Sequence, residues 1–592
     1  MKDSALKTGA ANFAMVIALL FFLSLSLAAQ SPGEETSAAP TTGTISGRVI
    51  TDSGQALPGA TVSLRGSSPL SQPRMVATDS EGNFQVGGLG AELYAVSAFS
   101  PGFISPPRDP DSPPTYHRIG DSVDVSLVKG GVITGAVMSA FGEPVVQIAV
   151  RAMMIRDANG QPPRFPLNHM PRSTDDRGLY RIYGLLPGTY LVSAGGRNTF
   201  GVNSGAFDTD ASTFSPSSTR DTAAEIAVKA GEETTGVDIR YRADPGRVIS
   251  GVVVGPIDPA VTSQPTVNLT LVSNGVPLGT AFAFQSPNSK GFSFYGVSDG
   301  DYDLVAQLSL APGQLLVSDP RRVTVKGADI TGVELAVKPL GSIEGRLVLE
   351  PSPAPECQNK RRPLFPETLI SARKIFKAAE KDQAFPLAFS VAQGSPNKSG
   401  DFMLRNLSVG DYTLHTRFSA KYWFIRSIAR DTPAQRPPAK AGAANRGFDL
   451  ARNGVNLKSG ERVNGINITL AEGAASLRGM IKLAPGESVP PKLSVHLVPA
   501  EKEVAEDVLR LFAARVNADG TFAFNNLPPG NYWVVARVAR ENEWTSDAKL
   551  RLPETELRTR IRRAAEAAKT RVEFKPCQNV TDYQMPIAAP GP

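Results

Sequence analysis

Only 2 Cys and 4 His occur among 592 residues. So few sulfur ligands exclude a disulfide-dense scaffold, an iron–sulfur protein and a zinc-finger array. His117, His169, His415 and His496 are followed three positions later by Gly120, Arg172, Phe418 and Pro499. The His-x-x-Glu pair with which zinc peptidases preset their ligands is therefore missing, and no metal or other cofactor is expected. Charge of one sign is not in excess, since 62 basic against 56 acidic side chains leave +6 on a long chain, a balance that does not indicate nucleic acid. No apolar run reaches the roughly 20 residues of a membrane-crossing helix. Neither a Gly-x-Ser-x-Gly elbow nor a phosphate loop stands between a strand and a helix, and the expectation is a protein that is not an enzyme.

Turn formers are plentiful. With 54 Gly and 48 Pro the composition favours many turns over long helices, and the length suits several domains. Lys2 and Lys7 precede an apolar run, Met15 to Leu23 and on through Leu27, that ends in Ala28-Ala29-Gln30. A basic start, about 13 apolar residues and small residues at Ser26 and Ala28 fit a secretory signal peptide over 1–28. A linker rich in Ser, Thr, Ala and Pro follows over 29–42. The mature chain is expected to be exported, to the periplasm, the cell surface or the medium, and not embedded in a membrane.

The chain then repeats itself. An aromatic residue, an aliphatic one five positions on and Tyr five further recur as Phe84/Leu89/Tyr94, Tyr180/Leu185/Tyr190, Phe292/Val297/Tyr302, Phe402/Leu407/Tyr412 and Phe522/Leu527/Tyr532. Ahead of each lies Asp or Asn with Gly three residues later: Asp79, Asp175, Asn288, Asn397 and Asn517. Such a residue accepts bonds from the following amides of a turn, and Gly closes it in the left-handed conformation. A calcium loop would need about six oxygen ligands, which Asn397-Lys-Ser-Gly400 does not offer. Each unit opens on a β-patterned stretch around a glycine (Gly47, Gly135, Gly251, Gly345, Gly479), where a neighbouring backbone or ring is expected to approach closely.

Gly47-Arg-Val-Ile-Thr-Asp-Ser-Gly54-Gln-Ala-Leu-Pro58-Gly59 with Thr78-Asp-Ser-Glu-Gly82-Asn-Phe84 resembles the carboxypeptidase regulatory-like domain. That resemblance implies a transthyretin-like, carbohydrate-binding-like β-sandwich and an extracellular setting, and it carries over no catalytic residue. The expected fold is all-β: a tandem array of about five immunoglobulin- or transthyretin-like antiparallel β-sandwich domains with a short C-terminal helix. The sandwiches are placed at 43–128, 129–241, 242–338, 339–470 with an insertion at 355–396, and 471–550, before a helix and tail over 551–592. Leu557, Ile561, Ala564, Ala565 and Ala568 give that helix, over 554–569, one apolar face.

Cys357 and Cys577 share a Pro-flanked context followed by Gln-Asn. Export sends both to an oxidising compartment, and a Cys357–Cys577 disulfide is expected; an intermolecular bridge or two thiols are the alternatives. His496, in the alternating Leu493-Ser-Val-His496-Leu-Val, is expected to face solvent. Tyr422-Trp423-Phe424 is the best candidate platform for stacking a sugar. The function expected is a non-catalytic binding and scaffold protein of the cell envelope, with envelope glycans or other surface proteins as partners. A carbohydrate-binding accessory protein is the first alternative and a hydrolase-associated regulatory subunit the second.

Overall fold

The computed structural model describes residues 42–586 apart from 69–70, 107–114, 164–170, 197–205, 257–265, 274–275, 285–290, 312–313, 377–388, 431–447, 483–487 and 539–554. The signal peptide, the linker up to residue 41, His169, Asn288 and position 554 of the expected helix lie outside the described residues.

One plan is repeated. The opening strands are Thr42–Thr51, Gly131–Met138, Arg247–Val254, Gly341–Glu350 and Ala475–Lys482. Each pairs antiparallel with the strand that carries its unit's aromatic residue: Asn83–Gly90, Leu179–Leu185, Gly291–Val297, Asp401–Leu407 and Thr521–Leu527. On its other side each opening strand has a parallel neighbour, Ser122–Lys129 in the first unit and Arg462–Glu472 in the fourth. A second sheet is built on Thr61–Gly66, Ala149–Asp157, Thr266–Ser273, Thr368–Lys374 and Leu493–Pro499, each antiparallel to the strand bearing the unit's closing Tyr. In the third unit Gln314–Ser318 joins the two sheets into one of eight strands. Every unit encloses its own apolar core.

The repeated residues hold this plan together. A Cβ on Gly47 would lie 1.9 Å from Val123 O of the parallel strand and 2.9 Å from Phe84 Cζ. Gly251 meets Val333 O and Phe292 at the same distances, 1.9 and 2.9 Å. Backbone and ring thus both occupy the place of the missing side chain, which only glycine leaves open. In the turns, Asp79 Oδ1 accepts from the amides of Glu81 and Asn83 at 2.9 and 2.8 Å, and Asp175 and Asn397 repeat the pattern. The fifth turn differs, because Asp519 rather than Asn517 accepts from the Thr521 amide. All five closing tyrosines donate their hydroxyls to the carbonyl four residues earlier: Gly90, Leu186, Ser298, Ser408 and Pro528, at 2.7–3.0 Å. The phenol fills the core while its polar tip ties down the turn before it. Burial raises the Tyr94 hydroxyl to a pKa of about 12, and burial raises those of Tyr190, Tyr302 and Tyr532 as well.

Three expectations are corrected. The segment 355–396 is not wholly an insertion, because Thr368–Lys374 inside it is the central strand of the fourth unit's second sheet. The additional chain before it, 351–367, holds two short 3-10 turns. The fifth unit does not end near residue 550. Its parallel strand is Asn579–Pro586 and its second sheet gains Arg571–Phe574, both beyond the helix Thr555–Ala568. Nor does His496 face solvent; it is fully buried. Leu557, Ile561 and Ala565 of the helix pack against Val498 and Val535 on that sheet's outer face, and Val535 is the cross-strand partner of His496.

Candidate functional site

The sandwiches meet through a recurring contact. Just before the aliphatic residue of the repeat, Gly184, Gly296 and Asn526 take φ of 73°, 68° and 58°, which bulges the strand outward. Gly184 lies near Ile104 of the first unit, and Gly296 against the carbonyls of Asp208 and Asp210 in the second. Asn526 Nδ2 donates to Ala420 O and Trp423 O of the fourth, both at 2.8 Å. In three places, then, the bulge of one unit docks on the unit before it.

A further junction joins units far apart in sequence. Arg361, in the segment 351–367, donates Nη1 to Ile119 O of the first sandwich at 3.1 Å and Nη2 to Glu367. Glu367 is 1% exposed and also accepts from the Leu364 amide at 3.2 Å. A buried carboxylate is tolerable only with such partners. Arg118, paired with Asp121, has its pKa lowered by burial and then by the nearby Arg361 cation. Gln393 Nε2 reaches the Tyr116 hydroxyl at 3.1 Å, and the Ser67 and Ser395 hydroxyls meet at 2.6 Å. The fourth unit therefore returns to the first.

The same segment reaches the fifth unit. Cys357 and Cys577 form a disulfide with Cα atoms 5.4 Å apart, across 220 positions of sequence. Beside it Cys577 N donates to Gly473 O at 3.0 Å, and buried Glu472 accepts from Ser352 N at 3.0 Å with Arg362 at 3.8 Å. Of the candidate platform, Trp423 is 1% and Phe424 7% exposed, so neither ring offers a face to a sugar. Tyr422 is half-buried: Lys360 Nζ lies 5.0 Å from its ring centre and Asn579 Nδ2 donates to its hydroxyl at 3.2 Å. The Trp423 ring lies in the fourth unit's own core, Phe424 packs with Ala471 and Ala474, and Tyr422 belongs to the junction. Lys360-Arg-Arg362 was visible in the sequence as a basic triplet, whereas its partners Glu367, Glu472 and Ile119 O carried no local signal. Among the described residues no cluster of His, Cys, Asp and Glu could hold a metal ion, and no helix is long and apolar enough to cross a membrane.

Five sandwiches on one plan, fixed to one another by repeated bulges, a polar junction and a disulfide, define a tandem β-sandwich protein. The first of them is similar to the carboxypeptidase regulatory-like domain, whose family model matches residues 44–109. No curated protein matches the chain significantly. Among solved structures, the Bacillus anthracis TIE protein is similar at 14% identity and a TM-score of 0.14, over 50% of this chain and 51% of that one. This chain thus spans about half that protein's length. The minor pilin of Streptococcus agalactiae is similar at 12% identity and a TM-score of 0.18, over 34% of this chain and 96% of that one. Two B repeat units of the collagen-binding protein of Staphylococcus aureus are similar at 12% identity and a TM-score of 0.13, over 73% of this chain and 100% of theirs. Scores of that size do not bear on what this chain does.

Proposed function

We propose that the chain is an exported, non-catalytic scaffold of the cell envelope or extracellular space, which carries binding surfaces on sandwiches held in fixed relation. The observation that carries this reading is the segment 351–367, which ties the first, fourth and fifth units together through Arg361, Glu367 and the Cys357–Cys577 bond. Inter-domain contacts within a chain are ordinarily small and mobile. A covalent bond beside paired buried charges instead suits a protein whose task depends on geometry. The basic and apolar start of the sequence and a disulfide that persists only in oxidising surroundings support export. Partners are surface proteins or envelope glycans, the latter without the Trp423 and Phe424 rings.

Two measurements test the reading. Mass spectrometry of the protein from its host should find a mature chain beginning near Ala29 or Gln30; a chain that still starts at Met1 removes export by this route. Sedimentation of the purified chain with isolated envelope fractions should give saturable binding, and its absence from every fraction refutes the scaffold role.

A further inference from the structure

The outer face of the first sandwich's opening sheet carries a groove of about 730 Å³, within the range of small-molecule sites. Two rows of polar side chains cross it. Asn83, Arg48 and Asp124 stand in register on the strands Asn83–Gly90, Thr42–Thr51 and Ser122–Lys129, and Gln85, Ser46 and Ser122 form the row beside them. Residues two apart along a strand share a face, and Phe84 and Val123, between the rows, are buried in the core. The turn 79–82 borders the groove: Arg48 Nε donates to Glu81 O at 2.8 Å and Asn83 Nδ2 to Asp79 Oδ2 at 3.3 Å. These bonds steady two of the six and leave the Arg48 Nη groups and the Asn83 side-chain carbonyl for a ligand. Ser46, Gln85, Ser122 and Asp124 make no side-chain hydrogen bond or ion pair among the described residues.

A polar outer face is ordinary for a sheet; its recurrence here is not. The fourth sandwich has a groove of about 530 Å³ at the same place, where Arg346 is likewise flanked by an Asp and an Asn, Asp401 and Asn467. The other three units put Ala136, Val252 and Met480 at the arginine's position. In the fourth groove Arg346 Nε bonds Asp401 at 3.0 Å and Met403 stands where the first has Gln85, so the first keeps more groups for a ligand. Its guanidinium, amides and hydroxyls donate, and its carboxylate, amide carbonyls and hydroxyls accept. Donors and acceptors interleaved in this way suit a ligand whose groups each do both, which is the property of a hydroxyl. Asp79 and Asp124 outnumber Arg48, which disfavours an anion. Three strands span roughly 10 Å, the length of two sugar rings.

We propose that the groove of the first sandwich binds a neutral sugar chain across two of its rings, through hydrogen bonds rather than ring stacking. The inference rests on the scaffold reading and gives its glycan partner a site and a charge. Saturation-transfer NMR of the full exported chain with cellobiose, maltose and chitobiose should show saturable binding of at least one, and the anionic digalacturonate should bind more weakly than that sugar. Gln85→Ala and Asp124→Ala remove exposed groups that serve no contact in the fold. Each should weaken the bound disaccharide about tenfold or more with the melting temperature unchanged. Binding of none of the three, tighter binding of digalacturonate, or full affinity in either variant overturns the proposal. Sedimentation with envelope fractions separates this failure from that of the scaffold reading: a chain that still sediments with the envelope but binds none of the sugars loses this site and keeps the scaffold role.

Discussion

Replacing Gly47 by Ala is a test whose sign is informative. In an ordinary strand the added methyl should stabilise by about 0.5–1 kcal/mol, because glycine loses more backbone freedom on folding. At Gly47 the new Cβ meets Val123 O at 1.9 Å and Phe84 Cζ at 2.9 Å. The ring can tilt. The carbonyl cannot, since it belongs to Ser122–Lys129, which pairs with the opening strand along six registered positions from Ser46 to Thr51. Relieving the overlap requires the two strands to part by about 1 Å, which weakens ladder bonds worth about 1 kcal/mol each, in addition to about 1–3 kcal/mol for overfilling a packed core. The net expectation is a loss of about 2–4 kcal/mol. Gly479 provides the internal comparison, for its Cβ would sit at 2.6 Å from Phe522 Cζ and 2.7 Å from Tyr583 O, so Gly479→Ala should cost about 1 kcal/mol. Hydrogen exchange followed by mass spectrometry reads each unit within the intact chain. Peptides over 42–51 and 122–129 should exchange faster in Gly47→Ala, with those of the fifth unit unchanged. Unchanged or slower exchange over 42–51, or equal effects of the two substitutions, would refute the argument.

Tyr190→Ala should destabilise the second unit by about 3–5 kcal/mol as a buried aromatic is lost, and Tyr190→Phe by about 1 kcal/mol for the bond to Leu186 O; a thermal midpoint unmoved by the first would place this ring outside the core. The buried tyrosines titrate above the unfolded value of about 10, so the unfolded chain releases their protons first. Stability should hold below that pH and fall as pH rises toward 12, the folded value of Tyr94, read as a falling thermal midpoint; a midpoint unchanged between about pH 10 and pH 12 contradicts this. Cys357→Ser opens a 220-residue loop worth about 5 kcal/mol in the chain-entropy model, and calorimetry should then resolve a lower, separate transition for the fifth unit. Ending the chain at residue 550 removes Asn579–Pro586 and should leave that unit unfolded by near-ultraviolet circular dichroism.

The repeat was legible because its residues act locally: the turn amides, the hydroxyl four residues from its carbonyl and the glycine under a ring each recur at fixed spacing. Two kinds of error show where that ends. Asn579–Pro586 was overlooked because the helix intervenes, although Val580, Tyr583 and Met585 reproduce the spacing of Val463, Ile466 and Ile468 in the same parallel position. His496 was misplaced because alternation tells which side of a strand a residue is on, not whether a helix covers that side. The Arg361 contact with Ile119 O joins positions 242 apart, and nothing local announces it.

The bond between Cys357 and Cys577 also sets the route by which the chain can carry load. Tension applied between the first sandwich and the strand Asn579–Pro586 passes straight across the sulfur bridge, and the 220 intervening positions are shielded from it. That shielded stretch includes the second sheets of both the fourth and the fifth units, so the first three sandwiches stand in series with the force while the last two stand largely beside it. At roughly 3.3–3.6 Å per residue the loop stores on the order of 700 Å of length that stretching cannot reach until the bridge is reduced. In a single-molecule pulling experiment a thiol reductant should release that length as added extension, turning a short tether into a long one without cutting the chain.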